Sequence, residues 1–223
     1  MNNQIPIVSL SFFTYSFTDQ LWALKQMQLS KTIGEKLEGT TFAKLLGTGA
    51  GKFGFSIRPD FSTYALLCVW ENAAKAKTLE SLKIYKHLED KSHECETFFM
   101  ACTQSHGAWD GINPIKPSVN YKSGPMFTLT RASLSTPKLF AFWTHVPATN
   151  KALEKANGLL FSKGVGELPI IEQATFSHWQ NAEDMMNFAY HSEHTEVLIK
   201  AKKEKWFKEE LFARFIPVNL DEW

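Results

Sequence analysis

The 223-residue chain combines a large apolar fraction with almost balanced charge: 44% of its residues are hydrophobic, 13% are aromatic, and 24 Lys and Arg face 23 Asp and Glu. This composition excludes a disordered chain, and the formal charge of +1 gives no bulk attraction to nucleic acid. No segment approaches the roughly 18 apolar residues of a membrane span, no signal-peptide pattern is present, and the cysteines form no CxxC pair. We therefore expect a cytoplasmic protein, at most peripheral to a membrane, whose partner is a small or apolar molecule.

The first half of the chain alternates predicted strands and helices in the order βαββαβ. The predicted elements are a strand over 5–13, a helix from Thr18 or Asp19 to about Leu37, strands over 42–46 and 64–70, a helix over 73–87 and a strand over 97–102. The sequence GTGAGKFG at 47–54 lacks the spacing of a phosphate-binding loop, so it indicates the end of a strand.

The second half repeats this order after a segment with prolines and glycines, which we interpret as a linker over residues 105–124. LLFSKGVGE and ATFSHWQNAEDM, in the second half, correspond to AKLLGTGAG and ALLCVWENAAKA in the first. Two copies of βαββαβ predict two ferredoxin-like halves, residues 1–104 and 125–223. The predicted fold is therefore α+β, with two tandem ferredoxin-like repeats that form a pseudo-dimeric α+β barrel.

One histidine falls on the apolar side of the last predicted helix. Three apolar residues follow His194 at helical spacing: Val197, Leu198 and Ala201. An imidazole in this position is either a core histidine or the axial ligand of a haem, and the periodicity leaves both open. His191 forms an H-x-x-H pair with it, but the pair lacks a clear third ligand for zinc or non-haem iron.

Two arginines, Arg131 and Arg214, lie in predicted strands among apolar neighbours. A buried arginine needs a partner, and an Asp, a Glu, a haem propionate or an iron-bound oxygen ligand would each serve. The pattern leaves these partners open. By contrast, KAKKEKWFKEE at 200–210 mixes both charge signs, which is typical of a solvated face.

Several separated motifs, in order along the chain, carry a family resemblance. They are VSLSFF at 8–13, FAKLLGTGAG at 42–51, LTRASL at 129–134, GVGELP at 164–169, ATFSHW at 174–179, and an ending that runs from a histidine to WFKEELFARF at 206–215. They resemble the spheroidene monooxygenase family, bacterial ketolases of acyclic carotenoids, from about residue 6 to 217. The resemblance implies a haem-containing oxygenase that uses O2 and reducing equivalents to oxidise a carotenoid methylene, through hydroxylation, to a ketone.

The resemblance also implies a place for the cofactor. It indicates kinship with dimeric α+β barrel haem proteins and haem b in the C-terminal half, with His194 as proximal ligand by motif and His191 as the alternative. Arg131 and His178 are the candidate donors near bound oxygen, and Arg214 is the candidate for binding the cofactor. An apolar pocket built from the many Phe and Trp residues would hold the lipophilic, carotenoid-like substrate.

The remaining expectations concern partners and alternatives. Since the chain has no flavin or nicotinamide motif, an external electron donor such as a ferredoxin is implied. We expect no nucleic acid binding and no membrane span, and the oligomeric state stays open, a homo-oligomer included. The alternatives are a haem-dependent dehydratase of the aldoxime dehydratase type, a non-catalytic carrier of haem or an apolar ligand, and a cofactor-free monooxygenase of the same barrel type.

Overall fold

The computed structural model describes residues 4–29, 37–51, 56–168, 170–191 and 193–223, without the side chains of residues 29, 191, 193, 194 and 196. In this part of the chain, eight β-strands close into a barrel. The strands are β1 (Ile7–Thr14), β2 (Thr40–Gly49), β3 (Pro59–Trp70), β4 (Glu94–Gly107), β5 (Met126–Leu134), β6 (Leu159–Leu168), β7 (Glu172–Trp179) and β8 (Phe207–Pro217).

The order of the strands is the same in both halves. Around the barrel it is β1-β3-β2-β6-β7-β5-β8-β4, and all neighbours are antiparallel. The first half therefore has the order β4-β1-β3-β2, and the second has β8-β5-β7-β6. Pairing of β2 with β6 and of β4 with β8 joins the halves. The prediction of an antiparallel α+β fold is confirmed.

The helices lie in the connections between strands. Within the described ranges they are α1 (Gln20–Gln26), α2 (Ala73–Ala76), α3 (Lys83–Glu89), α4 (Leu139–Glu154), α5 (Ala182–His191) and α6 (Glu193–Lys203). In these same ranges, none is long and apolar enough to cross a bilayer.

Two predicted helices differ from the observed ones. The helix predicted over 73–87 is two helices, because a 3-10 turn at Leu79–Ser81 separates α2 from α3. The first predicted helix continues past α1 only as a 3-10 turn at Met27–Leu29, and residues 30–36 of that prediction lie outside the described residues.

Strand β4 is longer than predicted and contains a bulge. It extends to Gly107, so the first residues of the predicted linker belong to the sheet. Its pairing with β8 shifts by one residue between Cys102 and Gln104. Gly107 has a φ of +90°, and a Cβ atom there would lie 2.1 Å from the carbonyl oxygen of Glu210. Only glycine fits this close approach of the two strands.

Aromatic side chains fill the interior of the barrel. Phe12, Phe127 and Phe176 are buried there with aliphatic residues from all eight described strands, and Phe98 and Phe161 pack against them. The ring centroids of Phe98 and Phe176 are 5.2 Å apart. Many of the phenylalanines expected to build a pocket therefore form the barrel core instead.

We predict that Phe176→Ala destabilises the protein by about 3–5 kcal/mol, because it removes a fully buried ring from the centre of this cluster. The measurement is the free energy of unfolding in urea. Phe17→Ala is the matched control, since Phe17 is 87% exposed and should change stability by no more than about 0.5 kcal/mol. Equal losses in the two variants would contradict the assignment of the core.

Candidate functional site

A cavity of about 640 Å³ lies between the helices of the second half and the outer face of its sheet. Helices α4, α5 and α6 form one wall, and β5, β7, β8 and the end of β4 form the other. The lining is mainly apolar and includes Phe142, Leu153, Met185, Phe188 and Phe212. A cavity of this size and character is typical of a site for one small organic ligand.

The cavity exists because side chains of the second half are smaller than their counterparts in the first. The paired strands start from Ile7 opposite Trp70 in the first half and from Met126 opposite Trp179 in the second. Counting along the pairs from these positions, Phe13 corresponds to Ala132, and Leu66 corresponds to Thr175. Phe13 and Leu66 are fully buried in the core of the first half, whereas Ala132 and Thr175 line the cavity.

The packing under the helices differs between the halves in the same way. One continuous cluster joins the helices of the first half to their sheet. The second half has two separate clusters, one around Phe142 and Trp206 and one around Leu153 and Trp179. Members of both border the cavity. Thr130, in the middle of β5, is exposed although helices cover this face, so the cavity opens to solvent.

Three buried donors in or next to the cavity lining have no hydrogen-bond partner in the described part of the chain: the indole Nε1 of Trp179 and the Nε atoms of Arg131 and Arg214. The counterpart of Trp179 is satisfied, since Trp70 donates to the Oγ of Ser9 at 2.8 Å. A second nitrogen of Arg214, Nη2, donates to the hydroxyl of Tyr190 at 3.2 Å. Because buried donors are normally paired, an ordered water or an acceptor on a bound molecule would complete them.

The cavity wall also contains His145, which the sequence did not single out. Its Nδ1 lies 2.7 Å from the carbonyl oxygen of Ala141, so this nitrogen carries the proton and donates. Its Nε2 is then an acceptor and lies 3.4 Å from the Nζ of Lys200. The imidazole packs against Trp206 with ring centroids 5.2 Å apart. Contacts with Ala141 of α4, Lys200 of α6 and Trp206 therefore hold this ring in one orientation.

The predicted ligand His194 belongs to α6, but its side chain and that of His191 lie outside the described residues. Residues Val197, Leu198 and Ala201 of the same helix line the cavity. The helix that carries the predicted ligand is therefore a wall of the cavity. In the described residues, no group of His, Cys, Asp and Glu side chains is arranged to hold a metal ion.

Arg131 borders the cavity, but its guanidinium lies in an ion cluster at one end of the barrel. The side chain is 2% exposed and pairs with Glu209 of β8, which lies two residues before Leu211, the residue opposite Arg131. Carboxylates of Asp110, Glu167 and Glu172 lie within 3.7 to 3.8 Å. Its predicted partnership with an acidic side chain is thus present in the structure.

The same cluster holds other charges. Lys44, from the first half, contacts Glu167 and Asp110 at 2.5 Å each. Burial raises the pKa of Glu209, but the backbone N–H groups of Gly111 and Asp110 and the guanidinium of Arg131 outweigh it and hold this pKa below its ordinary value. The cluster therefore joins both halves and the segment between them.

His178 lies on the interior face of the barrel and does not line the cavity. It lies two residues after Phe176 in β7, so the two side chains share the interior face. Its ring centroid is 4.5 Å from that of Phe127. Desolvation lowers its pKa, which favours the neutral ring. The structure thus makes the helix of His194 a wall of the cavity and brings Arg214 into contact with Tyr190 and Phe212 of its lining, while the guanidinium of Arg131 and the ring of His178 lie on the barrel side.

The fold and the cavity define an α+β protein with a closed antiparallel barrel and an apolar site on its outer face. A family model described as a domain of unknown function (DUF3291) matches residues 126–215. The spheroidene monooxygenase of Rhodobacter capsulatus is 31% identical over 217 residues, which is 95% of this chain and 90% of that protein. The chain belongs to the spheroidene monooxygenase family.

Two further comparisons concern the family and the fold, respectively. The spheroidene monooxygenase of Cereibacter sphaeroides is 35% identical over 216 residues, 93% of this chain, and the chain spans only 65% of that relative's length. The crystal structure of an aldoxime dehydratase (OxdRE) in complex with butyraldoxime matches with a TM-score of 0.60 at 10% identity, over 98% of this chain and 81% of that chain. At this identity the structural likeness concerns the fold alone.

We predict that Ala132→Phe closes part of the cavity, because it restores the side chain that fills the corresponding place in the first half. Binding of an apolar fluorescent dye should weaken by roughly tenfold, without loss of the folded state. The reciprocal variant Phe13→Ala is the control, and it should lower stability by about 3–5 kcal/mol through a new void. Unchanged dye binding in the first variant would contradict the assignment of the cavity.

We also predict an acid-sensitive contribution of Glu209 to stability. A carboxyl whose pKa is lowered in the folded state stabilises it above the unfolded pKa, about 4.5, and loses this effect as the pH falls through the folded value. Wild type should therefore lose stability relative to Glu209→Gln only below about pH 4.5, in urea titrations from about pH 3 to 7. Glu210→Gln, at the exposed neighbouring position, is the control. A difference that does not depend on pH would contradict the ion-pair role.

Proposed function

We propose that this chain is a haem b-dependent monooxygenase that oxidises a lipophilic, carotenoid-like substrate with O2. The observation that carries the proposal is the apolar cavity of about 640 Å³ walled by α6, the helix of His194. The names of the relatives, spheroidene monooxygenases, support the reaction and the class of substrate. A mainly apolar lining suits both a flat apolar cofactor and an apolar substrate.

His194 is the residue that we propose as the axial ligand. On a helical period it precedes Val197 and Leu198, two residues of the cavity wall, by about one turn. A neutral imidazole on a helix beside an apolar cavity suits haem iron. His191, the last residue of α5, is the alternative.

Arg214 is the residue that we propose for a carboxylate of the cofactor. It forms no ion pair within the described residues, and its buried Nε lacks a partner there. The side chain lies over the ring of Phe212, 5.1 Å from its centroid, and contacts Tyr190. Both of those residues line the cavity, so a haem propionate at this edge would complete the hydrogen bonding of the guanidinium.

The opposite wall of the cavity is the sheet, and its side chains would contact a bound reactant. Thr130 and Thr175 place hydroxyl groups on this wall among apolar side chains. We propose these hydroxyls as the donors to an oxygen atom of the reactant, in place of Arg131 and His178, whose polar groups lie on the barrel side. Haem b, when bound, supplies the activation of O2. The chain supplies the ligand, the hydrogen bonds and an apolar lining that limits water.

Two expectations from the sequence and one observation on packing extend this proposal. We propose that the two halves are tandem repeats that act as a pseudo-dimer, since their strand orders agree. The first half then has a structural role, because its equivalent of the cavity is filled. An external electron donor such as a ferredoxin would supply reducing equivalents.

The proposal is tested by haem titration of the purified protein, followed by an assay with an acyclic carotenoid, a ferredoxin-type reductant and O2. We predict a Soret band at about one haem per chain and O2-dependent oxidation of the carotenoid. His194→Ala should lose the band or shift it markedly, whereas His191→Ala, a change of the same kind close by, should retain it. Arg214→Gln should keep the band and weaken haem affinity by roughly tenfold, since one charge-assisted contact is lost.

Other outcomes would replace the proposal. A protein that stays colourless at excess haem would contradict haem dependence and favour a cofactor-free reaction. Haem binding with turnover of an aldoxime in the absence of O2 would favour a dehydratase. Haem or carotenoid bound and returned unchanged would favour a carrier.

A further inference from the structure

The rim of the cavity on the helical side exposes apolar side chains. Tyr190 of α5 and Leu198 of α6 line the cavity and are also exposed to solvent. Ile199, next to Leu198, is 64% exposed. We name these three residues the apolar rim. Exposed apolar groups at the mouth of an apolar cavity are typical of a surface that contacts another apolar phase.

Lysines lie beside the apolar rim. Lys202 and Lys203 follow Ile199 by three and four residues, so they share its side of α6. These two and Lys205 are exposed and form no ion pair within the described residues. We name them the rim lysines.

The acidic residue among the rim lysines is engaged elsewhere. The carboxylate of Glu204 accepts a hydrogen bond from the Nε1 of Trp206 at 2.9 Å and lies 3.9 Å from the Nζ of Lys138. Residues 200–205 contain four lysines and one glutamate, so this stretch carries net positive charge, although the chain as a whole has a formal charge of only +1. Residues 200–210 mix both charge signs in sequence, but in the structure Glu209 pairs with Arg131, whereas the rim lysines are exposed.

From this arrangement we infer that the apolar rim and the rim lysines dock the cavity mouth onto the surface of an anionic lipid bilayer. The inference rests on the lipophilic substrate of the proposed function, since such a substrate partitions into lipid and would reach the cavity without crossing water. Apolar side chains enter the interface while lysines contact anionic headgroups. An acidic soluble protein would use the lysines but would leave Ile199 without a role.

The test is sedimentation of the full chain with phosphatidylcholine vesicles that contain or lack phosphatidylglycerol. Wild type should bind the anionic vesicles and bind the neutral ones far less. Lys202→Gln with Lys203→Gln should weaken binding by roughly fivefold for each lysine, and Ile199→Asp by roughly tenfold. The matched control is Phe17→Asp, an equally drastic change at an exposed apolar residue of the first half, which should bind as wild type does.

Each contrary result overturns the inference. Absence of wild-type binding to anionic vesicles does so directly, and so does an equal loss in Phe17→Asp. Loss in the lysine variant with full binding of Ile199→Asp would show a purely electrostatic attraction to the vesicles and would contradict a docking role for the apolar rim. The haem spectrum of every variant separates the two proposals, because lost docking with an intact Soret band leaves the haem assignment standing, and docking without any haem contradicts the haem assignment alone.

Discussion

Closure of the sheet decides where the helices and the cavity of this chain lie. Pairing of β2 with β6 and of β4 with β8 turns two four-stranded sheets into one barrel whose interior is packed with aromatic rings. The helices can then pack only on the outside, one group for each half. Each half therefore has one buried surface between helices and sheet, and that surface is where the two halves differ.

The difference is one of side-chain volume and not of fold. The first half fills its outer surface with large side chains, including Phe13 and Trp70. The second half keeps its Trp179 but has Ala132 and Thr175 where rings or branched chains would be needed to close the packing. A single architecture thus provides a solid half that supports the barrel and a hollow half that can hold a ligand.

Much of this architecture could be predicted from the sequence, because matched strings such as ALLCVW and ATFSHW fix both the strands and their order. The direction of individual side chains could not. Arg131 shares a strand face with Leu129, and His178 shares one with Phe176. Both faces of these strands are apolar, because one packs in the barrel interior and the other packs against the helices. Periodicity tells which residues share a face, but it does not tell which of two buried faces that is.

The site shows the same limit. The pairing of Arg131 with Glu209 joins residues far apart in sequence, and no local pattern indicates it. Comparing the repeats position by position would have found that Ala132 occupies the position equivalent to Phe13. This is a signal that the sequence alone contains. His145, by contrast, becomes visible only once α4 is packed against Trp206.

The bulge in β4 has a consequence for the cavity. Met100 and Cys102 face the barrel interior, and simple alternation would send His106 there too. The extra residue at Thr103 shifts the phase of the strand, so His106 instead packs against Phe212 on the outer face and lines the cavity. The composition of this wall thus depends on the phase of a strand: the same sequence paired without the bulge would turn His106 toward the barrel core.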